Sequence, residues 1–229
     1  ATAAYVLGRC VGQDHAGQES AEFAREEAAW YDASVRRDPT QKEPTVLLAS
    51  LYRGKLKDPQ RCDAVLDHYV EATPTVPESW IVRAVFRDQA GAAADAIKDV
   101  KKALELAPDH VGALLLASQL LEKAGDVDAA RDYLKHAIEK DPKNLQPYLS
   151  LAQLEIRANR LEVAEGVLRK GLGAQPPTNP SPDLTWVLTD VLVGEKKFAE
   201  ATKQLDLLHT LGYDRGKTGL VEGRLEALR

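Results

Sequence analysis

The chain has 229 residues, 44% of them hydrophobic, and a formal net charge of −5. Mild acidity argues against a nucleic-acid ligand, which selects a basic stripe, and no run of 18 apolar residues is present to cross a membrane as a helix. There is no Met and no visible leader pattern, and the opening ATAAYVLGRC already has helical spacing, so the sequence reads as an excised or processed piece of a longer protein.

In chain order, residues 2–12 predict a first helix containing Leu7-Gly8. Gln13 to Glu19 reads as a loop, and Ser20 as the N-cap of a helix that runs to about Arg37, with Ala24, Ala28, Tyr31 and Val35 on one face and Asp38-Pro39 as its stop. A helix over about Glu43–Arg53 follows. After the loop Gly54 to Gln60, Asp58-Pro59 caps the next helix, with Pro at the first helical position. From Pro77 the apolar residues Trp80, Ile81, Val85 and Phe86 give one helix, and an Ala-rich stretch with Ile97, Val100, Leu104 and Leu106 gives its partner. In Val111–Asn144 the pattern is plainest. Leu114-Leu115-Leu116-Ala117 leads to Leu120-Leu121, Gly125 breaks the helix and Asp126 caps the next one. That helix carries Ala130, Tyr133, Leu134, Ala137 and Ile138 on one stripe and ends before Pro142. Four prolines between Gln175 and Pro182 read as a longer connection. The last helix, about Lys217–Leu228, either caps the array with Lys217, Glu222, Arg224 and Glu226 or begins a further hairpin.

These hairpins repeat. A step of 34 residues takes Pro108 to Pro142 and Pro176, Ala96 to Ala130 and Ala164, Ala103 to Ala137 and Gly171, and Gly91 to Gly125 and Asn159. Small residues let two helices approach, and Gly or Asn accepts the left-handed turn between them. The spacing resembles the tetratricopeptide repeat. Trp80, Ala84, Gly91, Ala96, Ala103 and Pro108 stand in the pattern's places in one unit, as do Tyr148, Leu151, Ala152, Ala164, Leu168 and Pro176 in another. Leu188, Phe198, Ala201 and Leu205 fit a later unit, whereas Lys57 and Cys62 replace the usual Gly and Ala in 43–76. The resemblance implies an all-α, right-handed superhelical solenoid of antiparallel helix pairs in a single domain, 1–229. Its repeats are about 1–39 (diverged), 43–76, 77–110, 111–144, 145–178 and 182–215, followed by 216–229.

Gly212 to Thr218 falls one residue short of a phosphate-binding loop and follows a helix, so it reads as a helix-to-helix turn. His15, His68, His110, His136 and His209 are scattered, and His68 and His136 stand two repeats apart, too far to share a metal. Cys10 and Cys62 read as free thiols, with a disulfide the lesser alternative. No catalytic, cofactor-binding or metal-binding set is expected, and compartment is left open with cytoplasm favoured over periplasm.

In the resembling family, the second, fifth, ninth, twelfth and thirteenth positions of first helices line a concave groove. Carried over, these are Leu47, Leu51 and Lys55; Ile81, Val85 and Asp88; Leu115, Gln119, Glu122 and Lys123; Leu149, Gln153 and Arg157; and Asp183, Trp186 and Asp190. The fifth-position residues are either half-buried repeat packing or exposed anchors for an amphipathic segment. The resemblance implies a noncatalytic protein-interaction scaffold. Its partner is expected to be a protein or peptide with apolar anchors and mixed charge, not an acidic tail. Neither nucleic acid nor membrane insertion is expected, self-association remains open, and Trp186 is the first anchor to test. The rival readings are an accessory repeat region fused to a transferase or kinase domain, and an architectural spacer.

Overall fold

In the computed structural model, residues 2–14, 21–176 and 180–228 are described. They form thirteen α-helices with no strand among them. The helices are α1 (Thr2–Asp14), α2 (Ala21–Arg37), α3 (Lys42–Arg53), α4 (Pro59–Ala72), α5 (Pro77–Gln89), α6 (Ala93–Leu106), α7 (Val111–Lys123), α8 (Val127–Lys140), α9 (Leu145–Arg157), α10 (Leu161–Gly173), α11 (Pro182–Gly194), α12 (Phe198–Thr210) and α13 (Arg215–Leu228). They pack pairwise as hairpins, α1 with α2 through α11 with α12. The helices fall into two compact units, one ending at Pro108 and holding α1–α6, the other starting at Asp109 and holding α7–α13. The expected N-cap at Ser20, His15 and part of the loops Gln13–Glu19 and Gln175–Pro182 lie outside the described residues.

Two sets of positions explain why the sequence folds into hairpins. The first is the turn. The non-glycine residues with positive φ are Lys57 (51°), Asn159 (55°) and Lys196 (61°), and Gly91 (80°) and Gly125 (87°) join them. Lys57, Gly91, Gly125 and Asn159 are 34 residues apart, and Lys196 follows after 37, the difference being the proline-rich insert. The left-handed turn is therefore set by position, and two lysines adopt it where Gly is usual. The second set is the close approach. Cys62, Ala96, Ala130, Ala164 and Ala201, spaced in the same way, all have zero exposure. Caps complete the ends. The Asp58 carboxylate accepts from Arg61 N at 3.1 Å with Pro59 following, and the Asp126 carboxylate accepts from Ala129 N at 3.2 Å. His110 Nδ1 accepts from Ala113 N at 3.0 Å and so caps α7.

In the first unit, Ala24, Ala28 and Tyr31 of α2 pack with Leu48, Ala49, Cys62, Leu66 and Tyr69. The buried carboxylate of Asp99 is met by Arg83 at 3.0 and 2.8 Å and by Arg87 at 2.8 Å, and Arg83 also reaches Asp67 at 2.8 Å, which ties α4, α5 and α6 together. A carboxylate that deep requires such partners. In the second unit, Leu114, Leu120, Tyr148, Leu168, Leu184, Leu188, Leu192 and Leu208 are fully buried, each contributing about 1.5–3 kcal/mol by the usual area relation. There Glu155, 1% exposed, is held by Arg131 at 2.6 Å and Arg160 at 2.5 Å.

The last helix has one buried face. Thr218, Val221 and Leu225 bury one face of α13 against α11 and α12. The positions that in α7 are Leu114, Ala117, Ser118 and Leu121, all buried, are Gly219, Glu222, Gly223 and Glu226 in α13. That face of α13 therefore carries small and acidic residues where α7 has mostly apolar ones. Gly212, with φ 67°, turns α12 into α13, as the helix-to-helix reading of this stretch expects. Cys10 and Cys62 are both free thiols, the first exposed and the second buried.

Candidate partner-binding surface

The candidate residues sit on the first helices of the hairpins, where the repeat keeps one position between core and solvent. Leu47, Ile81, Leu115, Leu149 and Trp186 are all half-buried. Their neighbours divide. Lys55, Gln119, Lys123, Gln153, Arg157 and Asp183 are exposed, while Val85, Asp88, Glu122 and Asp190 are half-buried. Leu51 is buried, at 8% exposure, because it packs within the first unit's core.

In the first unit, Leu47, Leu51 and Lys55 of α3 and its turn line an open cavity of about 830 Å³, completed by Arg9 of α1, Glu27 and Tyr31 of α2, and Lys57. The Tyr31 hydroxyl donates to Glu27 at 3.2 Å, and burial, with that carboxylate adding to it, pushes the Tyr31 pKa up to about 12. Arg9 was not among the sequence candidates. The Leu7-Gly8 match placed it at the ninth position of a first helix, but the long connection after Gln13 hid the register. Ile81, Val85 and Asp88 lie on α5, which Arg53 of α3 meets through the Phe86 carbonyl and, at 4.9 Å, the Phe86 ring.

In the second unit, Arg157 of α9 pairs with Glu122 of α7 at 2.5 Å, which fixes one edge of the Leu115–Leu149 surface. The α11 positions are otherwise engaged. Trp186 Nε1 donates to the Lys217 carbonyl at 3.2 Å, and Lys217 Nζ lies 5.7 Å from the indole centroid. Asp190 pairs with Arg224, and Asp183 accepts from the Tyr213 hydroxyl at 2.6 Å. The polar edge of Trp186, the first anchor expected from sequence, is thus engaged by α13, while the residue stays half-buried. Leu220, 34 residues beyond Trp186 and 70% exposed, presents the apolar fifth-position side chain at this end. The repeat step could have found it, but the last helix had no assigned register.

Among the described residues, no group of His, Cys, Asp and Glu is placed to hold a metal ion, and no helix is long and apolar enough to cross a membrane. The chemistry displayed is that of contact: apolar side chains at the rim of a packed helix layer, with charges beside them.

The tetratricopeptide repeat family model matches residues 89–135 and 121–181. A comparison with curated proteins finds no sequence match. Among solved structures, PilW, a widely conserved type IV pilus biogenesis factor, superposes with a TM-score of 0.66 at 17% identity, over 94% of this chain and 98% of that one. PilF of Pseudomonas aeruginosa gives 0.64 at 11% identity over 97% and 96%. YrrB, a tetratricopeptide repeat protein with an unusual peptide-binding site, gives 0.59 at 13% over 84% and 97%. At these identities the likeness speaks to fold, and the fold is an all-α helical solenoid. Residues 89–181 match the tetratricopeptide repeat pattern, and similar helical hairpins lie on either side of them.

Proposed function

We propose that the chain is a noncatalytic protein-interaction scaffold, and that it receives a peptide or partner protein on the surfaces lined by its first helices. One observation carries this. The fifth position of the first helix stays apolar and half-buried in unit after unit, at Leu47, Ile81, Leu115 and Leu149, while the second-helix small-residue position is sealed to zero exposure. Each of these side chains keeps part of its surface open to a partner, and Leu47 also packs against the first unit's core. An apolar rim flanked by exposed polar groups such as Gln119 and Gln153 suits an extended or helical segment with apolar anchors. The peptide-binding site of YrrB, which shares the fold, favours the same reading.

A photo-crosslinking residue placed at Leu115 or Leu149 tests it against one placed at Lys135, exposed on the second helix α8. Peptide adducts recovered at Leu115 and Leu149, absent at Lys135, and abolished by Leu115→Asp in a chain that stays helical, are expected. Equal adducts at Lys135 would move the binding surface off the first helices.

A further inference from the structure

The cavity of the first unit carries a charge pattern that the chain as a whole does not. Arg9, Lys55 and Lys57 converge on it from α1 and the α3–α4 turn. None of the three is ion-paired with a carboxylate among the described residues; the recorded bond of Arg9 is to the Tyr5 hydroxyl at 3.3 Å. Elsewhere cations in repeat contacts are matched, as Arg83 and Arg87 are to Asp99, Arg131 to Glu155 and Arg157 to Glu122. Among the described residues the cavity has one lining carboxylate, Glu27, which accepts from the Tyr31 hydroxyl. Leu47 and Leu51 form the aliphatic part of the wall.

We infer that this cavity binds an acidic peptide segment, with its carboxylate side chains on Arg9, Lys55 and Lys57 and an apolar side chain against Leu47. The inference rests on the first-helix reading above and specifies the partner of the first unit. It reverses the expectation, drawn from the net charge of −5, that an acidic ligand fits poorly. Net charge governs long-range steering, whereas unpaired cations around a semi-enclosed, partly apolar cavity govern local recognition. A peptide is favoured over a nucleic acid because the acidic chain repels a continuous phosphate backbone, and the cavity offers aliphatic rather than open aromatic surface.

The test uses fluorescence anisotropy of the full chain with three labelled probes: a short peptide of alternating Leu and Glu, the same peptide with Gln for every Glu, and a single-stranded oligonucleotide. The Leu/Glu peptide is expected to bind more tightly than the other two, and to lose affinity as salt is raised. Lys55→Glu and Arg9→Glu, both at exposed positions, should each weaken it roughly tenfold, while Lys203→Glu on α12, the same change in net charge, should not. Circular dichroism checks that each variant stays helical. If the Gln peptide binds equally well, is indifferent to Lys55→Glu and is lost with Leu115→Asp, the inference falls and the first-helix reading stands. If neither peptide binds, both fall. If the oligonucleotide binds most tightly and is lost with Lys55→Glu, the cavity is a phosphate site and the inference is overturned.

Discussion

Of the three glycines in α10, Gly166 and Gly171 should respond to alanine in opposite directions. Gly166 is exposed, and a Cβ built there meets nothing within 4 Å. Gly171 is buried, and its Cβ would lie 2.9 Å from Tyr148 Cγ, 3.0 Å from Tyr148 Cβ and 3.2 Å from Leu184 Cδ1. Gly166→Ala should therefore stabilise the chain by about 0.5–1 kcal/mol, the helix-propensity difference alone. Gly171→Ala gains the same propensity but drives a methyl into atoms next to the Tyr148 backbone. They cannot swing away, because Tyr148 is 1% exposed and its hydroxyl is tied to the Pro142 carbonyl at 3.2 Å. Overpacking of this kind costs about 1–3 kcal/mol, so a net loss of about 1–2 kcal/mol is expected. The preceding repeat shows the alternative solution, with Leu114 and Ala137, both fully buried, in the equivalent places. Adding Tyr148→Leu to Gly171→Ala should recover part of the loss, a favourable coupling in a double-mutant cycle. Urea unfolding followed by circular dichroism measures all four variants. A Gly171→Ala chain as stable as Gly166→Ala would refute the close approach of α10 to α9.

Three further outcomes follow from the same structure. Ala130→Leu, at a position with zero exposure, should cost about 1–3 kcal/mol in the same unfolding assay, and an unchanged midpoint would remove Ala130 from the hairpin interface. Trp186→Phe should remove the hydrogen bond to Lys217 and speed hydrogen exchange selectively in 215–228; unaltered exchange there would mean α13 does not depend on that indole. Glu165 and Glu195 share Lys197, at 2.5 and 3.1 Å. Hydrogen bonding to Lys197 holds Glu165 down to about 2, so its stabilisation is present above the ordinary carboxylate value and fades as pH falls from 4.5 toward 2. Burial, with Glu165 beside it, pushes Glu195 up, so the folded chain binds that proton more tightly than the unfolded chain and loses stability as pH rises past 4.5. Glu195→Gln should accordingly stabilise at pH 7 and lose that advantage near pH 4, whereas a pH-independent effect would show that its charge is not at issue.

The fold was legible because its determinants are local and recur. The turn residues Gly91, Gly125 and Asn159 and the small residues Ala96, Ala130 and Ala164 each do one steric job, and a 34-residue step finds them. The step also reaches Lys57 and Lys196, where residue type alone gives no sign of a left-handed turn, since the neighbouring helices impose it. The ion pairs were not legible. Asp99 with Arg83 and Arg87, and Glu155 with Arg131 and Arg160, join residues 5 to 24 apart on different helices, and no spacing rule distinguishes them from solvated charges. The candidate surface was legible in register but not in occupancy. Position placed Leu115, Leu149 and Trp186 together in kind, and only packing separates the two leucines from an indole that α13 holds.

That separation follows from how α13 packs on α11 and α12. Within the second unit, the first helices α9 and α11 each pack on the second helix before them and on their own second helix. In α13 the sequence places Gly219, Glu222, Gly223 and Glu226 where α7 has Leu114, Ala117, Ser118 and Leu121, and keeps a buried face through Thr218, Val221 and Leu225. With so small an apolar face, polar contacts must fix the helix in place, and they are drawn from the first-helix positions of α11: Asp183 to Tyr213, Trp186 to Lys217, Asp190 to Arg224. These contacts engage the polar groups of Asp183, Trp186 and Asp190 with α13 and the turn before it. Under the reading proposed above, a partner is received by the half-buried leucines of α7 and α9 in the second unit and, in the first, by the cavity at Arg9, Lys55 and Lys57.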